Sequence, residues 1–168
     1  MTLINNILLI IAITFLPFLE LRASIPYGIL ILKMHWFPVF IIAVIANIIL
    51  GPLVYFFLNK VIHIFLRIKF IFLRIKFIDA IYQRYVEKTQ KEIHRYVEKY
   101  GEAALAIFIG IPLPGTGVYT GALAAYLIGM DYKKLIVSTI LGVLMAGAIV
   151  TAVILTGTAA FNIFIKTI

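Results

Sequence analysis

The chain has 168 residues, 64% of them hydrophobic and only 13% charged, with a mean hydropathy of +1.12, a balance that excludes an ordinary soluble domain and points to an integral membrane protein. The formal net charge of +8 comes from basic residues beside apolar runs and without a nucleic-acid motif, so the partner it implies is the lipid bilayer with its anionic headgroups, not nucleic acid. The absence of cysteine excludes a disulfide framework and thiol chemistry, and His35, His63 and His94 are too scattered to found a metal or catalytic site.

Leu3 to Phe18 is almost wholly apolar and runs into Glu20-Leu21-Arg22-Ala23-Ser24-Ile25-Pro26-Tyr27-Gly28, so charge arrives where a spanning helix would still need apolar residues. Met1 to Phe18 has neither a basic n-region nor a small-residue cleavage site and is read as retained structure. Ile29 to Leu32 is too short to span, and Lys33, His35 and Trp36 look like an interfacial end. Residues 3–34 are therefore expected to form a re-entrant hairpin with Glu20 to Gly28 at or near its tip. The plainer alternative is one short spanning helix followed by an amphipathic turn. Pro38 to Leu58, without a charge, is the clearest full span.

From Lys60 to Glu102 the character changes, with Lys or Arg at 60, 67, 69, 74, 76, 84, 88, 91, 95 and 99 against acids at 79, 87, 92, 98 and 102. By the positive-inside rule residues 59–102 are expected on the cytoplasmic side. Leu-Arg-Ile-Lys-Phe-Ile occurs at 66 and again at 73, and Arg-Tyr-Val-Glu-Lys at 84 and again at 95. Those spacings are near whole helical turns, and apolar residues at helical steps from Ile78 to Tyr100 predict an amphipathic surface helix.

Ala103 to Gly110 and Val118 to Gly129 are short apolar runs on either side of Ile111-Pro112-Leu113-Pro114-Gly115-Thr116-Gly117. The two prolines supply no backbone donor, and the glycines tolerate angles that a helix excludes. Each run reaches about halfway across a ~30 Å hydrocarbon core, which predicts a second re-entrant hairpin over 103–130. Broken backbone at that depth must be surrounded by protein or line a water-filled cavity. Asp131 to Lys134 is a short connection expected to face the cytoplasm. Leu135 to Ile165 then runs without a charge, longer than one perpendicular span, so it must tilt, extend past the bilayer or break, with Gly157 the expected place for a break. Ser138, Gly142 and Ala146 repeat every four residues, a small-residue face that suits close packing within the bundle and, as the weaker reading, a homodimer.

These pieces assemble into an all-α integral membrane protein, a single membrane domain over 1–168, in which two re-entrant hairpins and two spanning helices form an inverted repeat. The first half covers 1–58, the basic cytoplasmic segment 59–102 and the second half 103–168. Paired broken helices in inverted halves point to a transport site between the tips.

Glu20-Leu21-Arg22-x-x-Ile25-Pro26-x-Gly28 followed by Pro112-Leu113-Pro114-Gly115-Thr116-Gly117-x-x-Thr120-Gly121 resembles the small multidrug export family of prokaryotic membrane proteins. The resemblance covers most of the chain outside the basic segment. That family is itself similar to the DedA and lipid-scramblase (VTT, SNARE-associated-like) superfamily. Phe18-x-x-x-Arg22-x-x-x-Pro26 is similar to the DedA arginine hairpin, and Pro112-x-Pro114-Gly115 to the DedA proline hairpin. The two hairpins come in the opposite order here, and Thr116 stands where DedA proteins carry an acid.

The resemblance and the broken helices together imply a multi-pass transporter of the cell membrane that exports small amphipathic solutes. The alternatives are a DedA-like flippase or scramblase acting on a phospho- or polyprenyl-lipid, and a non-transporting structural factor. An enzyme is the weakest reading, because no nucleophile–base pair or metal-ligand set is present, and no cofactor is expected. The residues expected at the transport site are Glu20, Arg22, Ser24, Pro26, Gly28, Pro112, Pro114, Gly115, Thr116, Gly117 and Thr120. Glu20 and Arg22 are expected to pair across an unwound tip or to reach separate partners such as the Pro112 to Gly117 backbone.

Overall fold

The computed structural model describes residues 2–72, 100–113 and 115–166. The amphipathic helix expected over 78–100, most of the basic segment and Pro114 lie outside the described residues. The chain is an all-α bundle. Its helices are α1 (Leu3–Thr14), α2 (Glu20–Pro26), a π-helical turn (Tyr27–Ile31), α3 (Trp36–Phe72), α4 (Tyr100–Gly110), α5 (Val118–Leu127) and α6 (Tyr132–Lys166).

Among the described residues, two helices are long and apolar enough to cross a membrane, Trp36–Leu58 and Tyr132–Gly157, with mean hydropathies of 2.5 and 2.3. The burial pattern of α3 shows why. Val39, Ala43, Ala46, Asn47, Leu50 and Val54 recur at helical spacing and face the bundle, while the opposite side exposes Ile41, Ile45, Ile49, Leu53 and Phe56. An outward face as apolar as the inward one suits hydrocarbon and not water.

Contacts between elements fix their directions. Thr14 bonds Ser24 through their hydroxyl oxygens at 2.7 Å, and Ile10 lies against Gly28, so α1 and the α2–π-turn segment run antiparallel. Gly51 faces Thr139, and Gly147 faces Phe40 and Val44, so α3 and α6 are antiparallel. Ser138 donates to the Glu102 carbonyl at 2.9 Å, Gly142 meets Ala106 and Ile109, and Gly110 meets Met145, so α4 and α6 run parallel. At Gly142 an added Cβ would sit 2.7 Å from the Ala106 backbone oxygen, which shows how closely the small-residue face admits α4. The stripe of Ser138, Gly142 and Ala146 is thus filled by a helix of the same chain, and Lys134 and Glu102 pair at its base at 3.6 Å.

The structure corrects the sequence expectations at two places. The turn of the first helical pair is Phe15 to Leu19, not Glu20 to Gly28, most of which is helical. Phe18 and Glu20 take left-handed backbone angles, φ 70° and 47°, and Pro17 lies between α1 and α2, so the chain reverses there without a glycine. Pro26 keeps helical angles in the last turn of α2, and the chain then widens into the π-turn, where the Leu32 N–H bonds the Tyr27 carbonyl at 3.1 Å. Gly28 serves packing, since a Cβ there would meet a Val39 methyl at 2.6 Å. The second correction is at Gly157, where α6 continues unbroken. One glycine costs a helix interior only about 1 kcal/mol, too little by itself to interrupt so long an apolar helix.

Candidate functional site

Residues 111–117 separate α4 from α5 and are not helical where described. Gly115 and Gly117 have φ 86° and 139°, angles that side chains of L-residues rarely adopt. A helix ending at Gly110 leaves carbonyls without intrahelical partners, and one beginning at Val118 leaves N–H groups without them. Away from water, both sets need other partners.

The partners come from α2. Glu20 is 5% exposed and accepts the Val118 N–H at 3.2 Å on one carboxylate oxygen and the Tyr119 N–H at 3.1 Å on the other. It thereby caps α5 across a separation of about a hundred residues in sequence. The Arg22 guanidinium donates to the carbonyls of Leu113 and Ile111, the latter at 3.1 Å, and to the Thr116 hydroxyl at 2.9 Å. Thr116 Oγ1 in turn lies 2.6 Å from the Ile111 carbonyl oxygen and 2.8 Å from that of Leu113, which share its single proton.

Helical geometry sends residues two apart in directions about 200° apart, so Glu20 and Arg22 address different groups. The acid sits at the positive N-terminal end of α5. The base sits beyond the negative C-terminal end of α4. Each charge is therefore placed where the adjoining helix dipole favours it. Of the two expectations for this pair, the structure realises separate partners, the start of α5 for Glu20 and the broken segment for Arg22.

The remaining expected site residues divide. Thr120 is one turn into α5 and bonds the Gly117 carbonyl at 3.3 Å, and Gly117 lies against Glu20, where an added Cβ would be 2.5 Å from a carboxylate oxygen. Gly115 is exposed and Pro112 half-buried on the broken segment itself. Ser24 is buried against Thr14, and Pro26 and Gly28 belong to the packed part of the first pair, so these three stand apart from the Glu20 and Arg22 contacts.

A pocket of about 270 Å³ opens beside the Glu20 carboxylate, lined by Pro17, Phe18, Val54, Leu58, Gly115, Thr116, Tyr119, Thr120 and Leu123 as well as Glu20. Several of these were not among the residues singled out from sequence. Tyr119 is the most informative. Besides its N–H bond to Glu20, its hydroxyl donates to the Phe15 carbonyl at 2.5 Å and ties α5 to the first turn. An aromatic with a polar tip two residues after Gly117 was its only sequence signal. Among the described residues, no three His, Cys, Asp or Glu side chains gather as a metal site.

A family model described as "Putative small multi-drug export protein" matches residues 20–149. No curated protein and no solved structure matches the chain.

Proposed function

The chain belongs to this small multi-drug export family, and from that premise we propose that it carries small amphipathic solutes across the membrane through the pocket beside the broken segment 111–117. The observation that carries the reading is the division of labour between Glu20 and Arg22. One side chain holds the start of α5, the other holds the loop that follows α4, and the carboxylate also forms part of the pocket wall. Broken helices whose ends meet charged groups at membrane depth are the arrangement that transport sites use.

Several observations support the inverted-repeat plan. Each half comprises two short helices around a break followed by a long apolar helix, and the two long helices are antiparallel. The 12 residues of α1 rise about 18 Å, well short of a ~30 Å hydrocarbon core, which suits a re-entrant hairpin. The whole is then one multi-pass domain of the cell membrane, with both hairpins re-entrant, residues 59–102 cytoplasmic and both termini outside. Cysteine placed at Lys88 should react with an impermeant maleimide only after the cells are opened. Reaction in intact cells would reverse the proposed orientation.

The lipid-flippase reading gives Arg22 a headgroup phosphate, but its guanidinium already donates to three loop oxygens, so the solute reading stands first. In proteoliposomes loaded with fluorescent amphipathic solutes, Glu20→Gln should lower flux at least about tenfold, as losing one charged hydrogen bond at the site implies. Equal flux from equal amounts of folded variant and parent ends the proposal. Lipid movement without solute flux moves the assignment to a flippase, and neither activity moves it to a structural factor.

A further inference from the structure

The transport reading leaves open which small amphipathic solutes are carried; resting on it, we propose that the pocket beside Glu20 takes a primary ammonium carried on a short apolar body. The inventory of hydrogen-bonding side chains at the wall leads there. Each Glu20 carboxylate oxygen accepts one backbone N–H, which leaves further lone pairs on both. The Thr120 hydroxyl proton goes to the Gly117 carbonyl, the Thr116 proton to the Ile111 or Leu113 carbonyl, and the Tyr119 proton to the Phe15 carbonyl. The wall's side chains thus have their protons committed, while the carboxylate and both threonine oxygens can still accept.

A ligand carboxylate, sulfonate or phosphate would meet lone pairs and a negative charge. An alcohol would offer a single donor. A primary ammonium offers three donors and no acceptor, and it supplies the positive charge. Arg22 offers the pocket no donor, because its guanidinium is engaged on the loop and is not part of the pocket lining. A quaternary ammonium would satisfy the charge but none of the acceptors. The rest of the lining is chiefly Pro17, Phe18, Val54, Leu58 and Leu123, and about 270 Å³ suits an arylalkyl or short alkyl body. The left-handed angles at Phe18 and Glu20 add a further sign, since strain at non-glycine residues clusters where side chains must be aimed for function.

The same ammonium chemistry occurs on a free amine and on an aminolipid headgroup. The test uses the full chain in nanodiscs of phosphatidylglycerol, titrated calorimetrically with 2-phenylethylammonium, 2-phenylethanol, 3-phenylpropionate and the trimethylammonium analogue. The primary ammonium should bind about 10- to 100-fold tighter than the alcohol and tighter than the trimethyl analogue, and the carboxylate should not bind. Leu123→Trp, which fills the pocket from a residue that makes none of the Glu20 bonds, should remove ammonium binding. Glu20→Gln should reduce it to the level of the alcohol. Equal affinity for ammonium and alcohol, binding that survives Leu123→Trp, or a trimethyl analogue that binds as well as the primary amine would overturn the assignment. Should Glu20→Gln not fold, the ligand series and Leu123→Trp decide. Competition from added phosphatidylethanolamine supports the ammonium site with a lipid source, and no competition supports it with a free amine as ligand. Selective binding without flux would leave the ammonium site standing and remove the transport reading, whereas flux without preference for ammonium would do the reverse.

Discussion

Replacing Gly117 with alanine should destabilise the protein by about 3–5 kcal/mol, the range for breaking a buried charged contact, and should detach Glu20 from the start of α5. Two causes act together. At φ 139° the backbone itself disfavours any L side chain, which contributes about 1–3 kcal/mol. The added Cβ would also lie 2.5 Å, 2.8 Å and 2.9 Å from the two oxygens and the carboxyl carbon of Glu20. That carboxylate is buried and cannot retreat without giving up the N–H groups of Val118 and Tyr119. Gly115→Ala separates the causes. Its φ is 86°, yet nothing lies within 4 Å of its added Cβ, so it should lose only the backbone part, about 1–2 kcal/mol. Thermal unfolding of both variants in the same detergent reads the difference. A Gly117→Ala protein no less stable than Gly115→Ala would mean that the Glu20 contact restrains nothing.

The sequence discloses the second break plainly, because Pro112, Pro114, Gly115 and Gly117 crowd into a few residues and each opposes a helix for its own reason. The two long apolar helices are equally plain from charge-free length. The first turn is concealed. Its left-handed residues are Phe18 and Glu20, types that ordinarily avoid those angles, whereas Pro26 and Gly28 advertise a break that the packing of Ile10 and Val39 does not require. Gly157 misleads in the same way, since one glycine costs a helix only about 1 kcal/mol and α6 runs through it. At the site, Glu20, Arg22 and Thr116 stand out because ionised and polar groups are costly in an apolar chain. Val54, Leu58 and Leu123 do not, since an apolar residue in a helix apolar on every side carries no mark of the face it occupies. The family match begins at Glu20, just past the first turn, and covers the second break; it reports kinship, and the pairing of Glu20 with one helix end and Arg22 with the loop after the other appears only in three dimensions.

Arg22→Ala should destabilise the protein by about 2–4 kcal/mol, since a hydrogen bond to a charged group contributes about 1.5–3 kcal/mol and the three are not additive. The variant leaves the Ile111 and Leu113 carbonyls with the shared Thr116 hydroxyl proton and one backbone N–H each, from Leu113 at 2.8 Å and from Thr116 at 3.2 Å, beyond the end of a helix whose dipole already concentrates negative charge there. Arg22→Lys tests geometry apart from charge. Lysine keeps the cation, but its ammonium is a point donor and cannot reproduce the planar fork that reaches Ile111, Leu113 and Thr116 together. We expect near-parental amounts of folded Arg22→Lys protein with flux reduced about tenfold or more, because the loop loses its position while its charge balance is kept. Thr116→Val supplies the decisive control. If Arg22 acts through the loop oxygens, Thr116→Val combined with Arg22→Lys should cost less than the sum of the two single changes, with a coupling of about 0.5–3 kcal/mol in unfolding. Strict additivity would show that the guanidinium and the loop do not act as one unit. Full flux from Arg22→Lys would show that transport needs the charge and not the fork, and would remove the loop's geometry from the mechanism.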